Sequence, residues 1–385
     1  MSASRGRRRG RVARRSVLVV AASVVVAVGT VTGMINALDD ERGANEARPD
    51  ATLLVPLPDV PSPSVSPKVS SSASTSAKPK KTASPSPTKT GEKRSDPASP
   101  SLYRHPESQV LDWVHDHPDD PRTEVIASRI ADQPAAVWFA DFTPSTITSR
   151  VRAVTSGAAA QGRVPVVVPY AIPDRDCGGA SEGGAPDFDA YDGWIDDFAA
   201  GLGSREVVIV LEPDSIAQAD CLSAAQRADR FEALARAGRV LKSADPKARV
   251  YFDAGHSDWN PAAQQAALLK EAGAANAASS DGIFSNVSNF HATSAEIAYD
   301  RQVLDALGGP ASLGAVIDTS RNGNGAPADG QWCDPAGRKI GRAPTLDTGE
   351  ARIDGYLWVK LPGESDGCKG AAGTFTASYA YDLAR

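Results

Sequence analysis

Seven apolar runs of β type recur through the second part of the chain, and each stops at polar or acidic residues. The runs span 135–139, 164–170, 207–211, 248–252, 282–284, 313–317 and 356–359. Between them lie Ala-rich stretches, such as 224–241 and 261–275, whose apolar residues repeat at helical spacing. Strands that alternate with helices in this way predict right-handed crossovers and a parallel sheet. Seven such units suit a distorted seven-stranded parallel β/α barrel of the TIM type, with an open doubly wound sheet as the alternative.

Three acidic stretches adjoin these runs: Ile172-Pro-Asp-Arg-Asp-Cys-Gly178, Val210-Leu-Glu-Pro-Asp-Ser215 and Leu357-Trp-Val-Lys-Leu-Pro-Gly-Glu-Ser-Asp-Gly367. An α/β barrel keeps its chemistry at the ends of its buried parallel strands. Two or more carboxylates facing one cleft are what hydrolysis of a glycosidic bond requires. No Gly-rich nucleotide loop or metal-ligand cluster is present, so no cofactor and no metal are implied.

Composition divides the chain into three parts. Residues 1–38 combine an Arg cluster (Arg5 to Arg15) with an uncharged Val/Ala/Leu/Gly run over 17–34. That run is about 18 residues, close to the ~20 that span a bilayer, so the segment is expected to be a transmembrane anchor or a secretory signal. Its positive flank places the remainder of the chain outside the cell. Residues 39–100 form a linker, and 56–100 are mostly Pro, Ser, Thr and Lys, too poor in large apolar side chains to offset the entropy of ordering. Residues 101–385 are the expected catalytic domain, a length that suits one barrel. The net charge of −6 includes the basic head, so this domain is more acidic than the total. Such a balance argues against nucleic acid and suits a neutral polymer.

All four cysteines, Cys177, Cys221, Cys333 and Cys368, fall in the third part. Outside the cell an even number predicts disulfides, with three possible connectivities. Pairs 177–221 and 333–368 would tie together loops that already carry carboxylates. Zinc is disfavoured because no C-x-x-C spacing occurs.

With these residues in view, the chain resembles glycoside hydrolase family 6, the cellobiohydrolases and endoglucanases that cut β-1,4-glucan with inversion. The resemblance rests on Tyr170…Pro173-Asp-Arg-Asp-Cys177, Leu211-Glu-Pro-Asp-Ser215, Asp253-Ala-Gly-His256, Asn286-Val-Ser-Asn-Phe290, Thr319-Ser-Arg-Asn-Gly323, Trp332-Cys333 and Trp358-Val-Lys-Leu-Pro-Gly-Glu-Ser-Asp366. It implies a distorted seven-stranded barrel. It also implies that Asp214 is the general acid, and that Asp176 keeps this acid protonated and stabilises positive charge on the sugar. Asp366 is the candidate base; a water relay through Asp176 and Ser181 is the competing account. Tyr170 would lie beneath the reacting sugar, Lys360 and Glu364 would hold its neighbour, and Asp253 and Asn289 would join the binding site.

Each of these residues has a plainer reading. Asp214 could cap a helix, Asp176 could pair with Arg175, and Asp366 could be an exposed turn residue. His256 is either a substrate contact or a core histidine. Trp138, Trp259 and Trp332 suit sugar stacking, whereas Trp358 suits core packing. The run His115-Asp-His117 with Asp119 and Asp120 is expected to be a polar loop. Connections too short to enclose a chain, from Asp214 to Asp253 and from Thr319 to Lys360, favour an open cleft and internal cutting, and a monomer is expected. Exo action, or a non-catalytic glucan binder, are the alternatives. A linker leading to an apolar segment rather than a binding module also makes local glucan remodelling credible.

Overall fold

The computed structural model describes residues 101–385. The anchor or signal expected over 1–38 and the linker expected over 39–100 lie outside the described residues. Among those described, no helix is long and apolar enough to cross a membrane.

Seven parallel strands form one sheet in sequence order: β1 (Val137–Phe139), β2 (Val166–Pro169), β3 (Val207–Leu211), β4 (Ala248–Asp253), β5 (Gly282–Ser285), β6 (Gly314–Asp318) and β7 (Ile353–Leu357). A doubly wound sheet reverses its strand order partway, so this order excludes that alternative. Helix α1 (Gln109–Asp116) and the short α2 (Thr123–Ile126) precede β1. Crossover helices α3 (Pro144–Ala160), α4 (Phe188–Ala199), α5 (Ala224–Ala244), α6 (Ala262–Glu271) and α7 (Thr293–Leu307) join successive strands as far as β6. A long loop joins β6 to β7, and α8 (Ala377–Ala384) closes the chain.

The strands read as continuous apolar runs because both faces are covered. Val167, Ile209, Phe252, Ile283 and Ile317 pack outward against the helices. Val166, Val168, Val208, Val210, Tyr251, Phe284 and Val316 fill the barrel interior. Helix α5 starts at Ser223, whose hydroxyl accepts from the Gln226 amide while the Gln226 side chain accepts from the Ser223 amide, a reciprocal cap.

The sheet curls far enough that the Ala136 amide beside β1 donates to the Trp358 carbonyl beyond β7 at 2.9 Å. Among the described residues no strand ladder closes this seam. Instead Val110, Ile126, Ile130, Trp358, Leu361, Ala380 and Ala384 form a separate apolar cluster there. Trp358, 2% exposed, is therefore a core residue, although it lies just past the strand and not within it.

The last strand departs from the sequence expectation: β7 ends at Leu357, so its start and end both fall before those of the 356–359 run. The Asp318 carboxylate takes the Val359 and Lys360 amides at 3.3 and 3.1 Å, which draws that backbone off the ladder. It also accepts from Ser288 and Ser320, so one buried side chain joins the ends of β5, β6 and β7. Asp318→Ala would strand four amides and is expected to cost about 3 kcal/mol or more. Urea unfolding of the full chain should show the midpoint falling at constant m-value; an unchanged midpoint would contradict this role.

Candidate active site

The strands deliver their C-terminal ends to a cleft of about 1310 Å³. Asp214, Asp176, Asp366, Tyr170, Ser181, Trp138, His256, Trp259, Asn289, Trp332, Lys360 and Glu364 all line it. Asp253 does not, and this corrects the expectation that it belongs to the binding surface. One of its oxygens accepts from the Ile216 and Ala217 amides at 3.0 and 2.8 Å, the other from Gly255 at 2.9 Å. At 2% exposure it is a buried anchor beneath the turn that carries Asp214.

The carboxylate turns have unusual backbones. Asp174, Asp176, Cys177, Glu212 and Asp214 all have positive φ, between 48° and 67°. For residues other than glycine this region is uncommon, although Asn, Asp and His are enriched there. Such positions persist where the surroundings over-determine them, and they concentrate at functional sites. Here the surroundings are identifiable. Glu212, fully buried, accepts from the Ala171 and Ile172 amides at 2.9 and 3.0 Å and so joins the ends of β2 and β3. The Cys177–Cys221 disulfide ties the Asp176 turn to the segment after Asp214, and Cys333–Cys368 ties the Trp332 loop to the Asp366 loop. Arg175 does not pair with Asp176. Its guanidinium reaches the Ala140, Tyr170 and Ser181 carbonyls and lies over the Tyr170 ring.

Asp176 is held from within its own loop: one oxygen accepts from the Ser181 amide at 2.7 Å and from its hydroxyl at 2.9 Å. The Ser181 hydroxyl also lies 3.1 Å from the Tyr170 hydroxyl, which completes a chain of three polar groups. Gly179 is required beside them, because a Cβ there would stand 2.5 Å from the Asp176 carboxylate. Trp138 meets Tyr170 edge to face and donates its indole N–H to the Val359 carbonyl. Its ring wall therefore belongs to the barrel seam.

Electrostatics separate the carboxyls. Burial, reinforced by the charges of Asp253 and Asp176, pushes Asp214 from an ordinary 3.8 up to about 8, against an opposing pull from Lys360. Asp366 sits differently. One oxygen accepts from the buried Arg321 guanidinium at 2.8 Å and from the Asp334 amide at 3.1 Å; the other faces the Lys360 ammonium at 3.7 Å. Glu364 is raised to about 7, mainly by burial, with Lys360 and Arg321 opposing. His256 is lowered to about 3, by burial first and then by His291, whose ring stacks on it at 4.1 Å.

Sequence reasoning passed over several groups. Glu212, Asp318 and Arg321 stood inside recognised stretches without a role. His291 also lines the cleft, as do residues 104, 105 and 107–111, for which the sequence carries no distinguishing signal. The His115–Asp120 stretch lies on the surface, where His117 stacks on Trp113 and Asp120 pairs with Arg122 at 2.7 Å.

A curled parallel barrel with a proton-loaded carboxyl on the floor of a trough, and indoles along its walls, defines a glycoside hydrolase built for an extended sugar chain. The chain belongs to Glycosyl hydrolases family 6, whose sequence profile matches residues 98–384. It is 52% identical over 287 residues to Endoglucanase 1 of Streptomyces sp. (strain KSM-9), covering 74% of this chain and 78% of that relative. It is 49% identical over 284 residues to Endoglucanase A of Thermobispora bispora, covering 74% of this chain and 61% of that relative. Among solved structures it is similar to the endoglucanase Cel6 from Mycobacterium tuberculosis in complex with methyl-cellobiosyl-4-deoxy-4-thio-β-D-cellobioside. That match has 40% identity and a TM-score of 0.69, and covers 74% of this chain and 97% of the other.

The raised Asp214 carboxyl has a stability consequence. Above an ordinary pKa of 3.8 the unfolded chain releases this proton, while the folded chain keeps it to about 8. The group therefore costs stability increasingly across that window and nothing below it. Asp214→Asn should match the parent in urea unfolding below pH 3.8 and exceed it at pH 8 by about 1–3 kcal/mol. A constant difference across pH would contradict the shift.

Proposed function

We propose that this domain hydrolyses internal β-1,4-glucosidic bonds of cellulose or a related β-glucan, with inversion at the anomeric carbon. The observation that carries the proposal is Asp214, a cleft carboxyl whose surroundings keep its proton on at neutral pH. An acid with a pKa near the working pH is what a departing sugar oxygen needs. In this reading Asp214 protonates the glycosidic oxygen, and Asp176, fixed by Ser181, stabilises the positive charge that develops on the ring. Tyr170 supports that ring from below.

Asp366 takes the proton of the attacking water. Its Oδ2 is occupied by Arg321 and the Asp334 amide, which leaves Oδ1 as the acceptor. Lys360 and Glu364 hold the adjacent glucose, with Asn289 and His256 further along the cleft. Trp138, Trp259 and Trp332 offer flat faces to successive sugars. Trp332 is 60% exposed at the cleft wall, which supports a trough that a chain can enter sideways. The two bacterial endoglucanase relatives favour the same mode. Two disulfides suit an oxidising compartment and support action outside the cytoplasm.

Incubating the full chain with carboxymethyl cellulose should lower viscosity steeply for few reducing ends released. Asp214→Ala should reduce turnover by on the order of 10³-fold while circular dichroism stays unchanged. Activity should decline as pH rises through about 8, where Asp214 loses its proton. Reducing ends without a viscosity fall would mean cutting from chain ends, and no activity from the folded parent would contradict the proposal.

A further inference from the structure

The loop that carries Asp366 has a second, non-covalent fastening. Asp334 is 4% exposed and sits in left-handed backbone with φ 46°. Its Oδ2 accepts from the Ser365 hydroxyl at 2.6 Å, the Lys369 amide at 2.8 Å and the Cys368 amide at 3.0 Å. Its Oδ1 accepts from the Asp366 amide at 2.8 Å. The contact is reciprocal, because the Asp334 amide donates back to the Asp366 carboxylate. One side chain thus holds the backbone on both sides of Asp366, while its own amide aims the Asp366 oxygen toward Arg321.

The Cys333–Cys368 disulfide joins the same two segments. A disulfide fixes the separation of two chains but leaves the peptide between Ser365 and Cys368 free to rotate. The four hydrogen bonds to Asp334 remove that freedom, and the Ser365 hydroxyl that donates to Asp334 accepts in turn from the Gly367, Lys369 and Gly370 amides. They are charge-assisted, shielded from water and directed at consecutive parts of one turn. Asn cannot replace this carboxylate, since its amide nitrogen accepts nothing.

We propose that Asp334 is the positioning residue for Asp366, and that its carboxylate, more than the neighbouring disulfide, sets the angle at which Asp366 meets the attacking water. The inference rests on the reading of Asp366 as the base. Because Asp334 itself is kept from the sugar by the loop it holds, its loss should act on turnover and not on glucan binding. It also couples Trp332, two residues before it, to Asp366 across the cleft wall.

The test uses the full chain and cellopentaose, with kcat and KM measured separately. Asp334→Asn should lower kcat about 10- to 100-fold, the scale of a misplaced reacting group, with KM changed less than about threefold. Cys333→Ser with Cys368→Ser should keep kcat within about threefold of the parent. If Asp334→Asn fails to fold, Ser365→Ala removes one of the four donors together with the contacts its hydroxyl makes to Gly367, Lys369 and Gly370, and should lower kcat in the same direction, by about three- to tenfold, with KM changed less than about threefold. Asp334→Asn at parental kcat, a loss confined to KM, or a larger kcat loss from the cysteine pair than from Asp334→Asn would each overturn the inference. Asp366→Asn separates the two claims. If it is inactive while Asp334→Asn is not impaired, only the positioning role fails; if it retains parental kcat, the reading of Asp366 itself fails.

Discussion

Buried carboxylates that accept backbone amides from neighbouring strand ends hold the upper rim of this barrel. Glu212 at the end of β3 takes the amides that come after β2, Asp253 at the end of β4 takes those that come after β3, and Asp318 at the end of β6 takes those beside β5 and β7. Parallel strands that stop in a buried place leave amides without ladder partners, and each unpaired amide is costly. A carboxylate satisfies two or more at once, and those amides offset its own desolvation. With seven strands the sheet leaves a seam between β1 and β7, where loop backbone replaces ladder.

The same anchors explain how the site tolerates its backbone. Residues at positive φ cluster on the turns after β2 and β3, where Glu212, Asp253 and a disulfide fasten both flanks. Rigid flanks let Asp176 and Asp214 occupy conformations that a free loop would abandon. Burial then serves a second end. With the charges of Asp253 and Asp176 nearby, it lets the carboxyl that must give a proton keep it at neutral pH. Asp366 has Arg321 on one side and Lys360 near the other. Two carboxyls in one cleft thus receive different tasks from their surroundings, at some expense in stability around neutral pH.

Much of this was legible in residue order. Alternating apolar runs and Ala-rich helical stretches identify the seven-stranded barrel, and the cysteines lie beside the very loops they join. The acidic stretches point to the cleft because strand ends are where a barrel places its chemistry. What stayed hidden has a common cause: sequence shows a carboxylate at a strand end but not which way it points. Asp253 turns inward to amides although its neighbour His256 faces the cleft, and Glu212 and Asp318 do the same. The end of β7 was misplaced for the same reason, since Trp358 and Val359 have strand-like side chains but their backbone is claimed by Asp318. Contributions from residues 104–111 depend on how the start of the domain packs across the seam, a long-range contact that local pattern does not encode.

The most direct test monitors the anomeric protons of the products by NMR while the full chain acts on cellohexaose in deuterated buffer. Direct attack by water on the face opposite the leaving group should release new reducing ends first as the α-anomer, with β-anomer appearing later by mutarotation. Prompt release of the β-anomer would mean a covalent intermediate and retention, and would contradict the assignment of acid and base to Asp214 and Asp366.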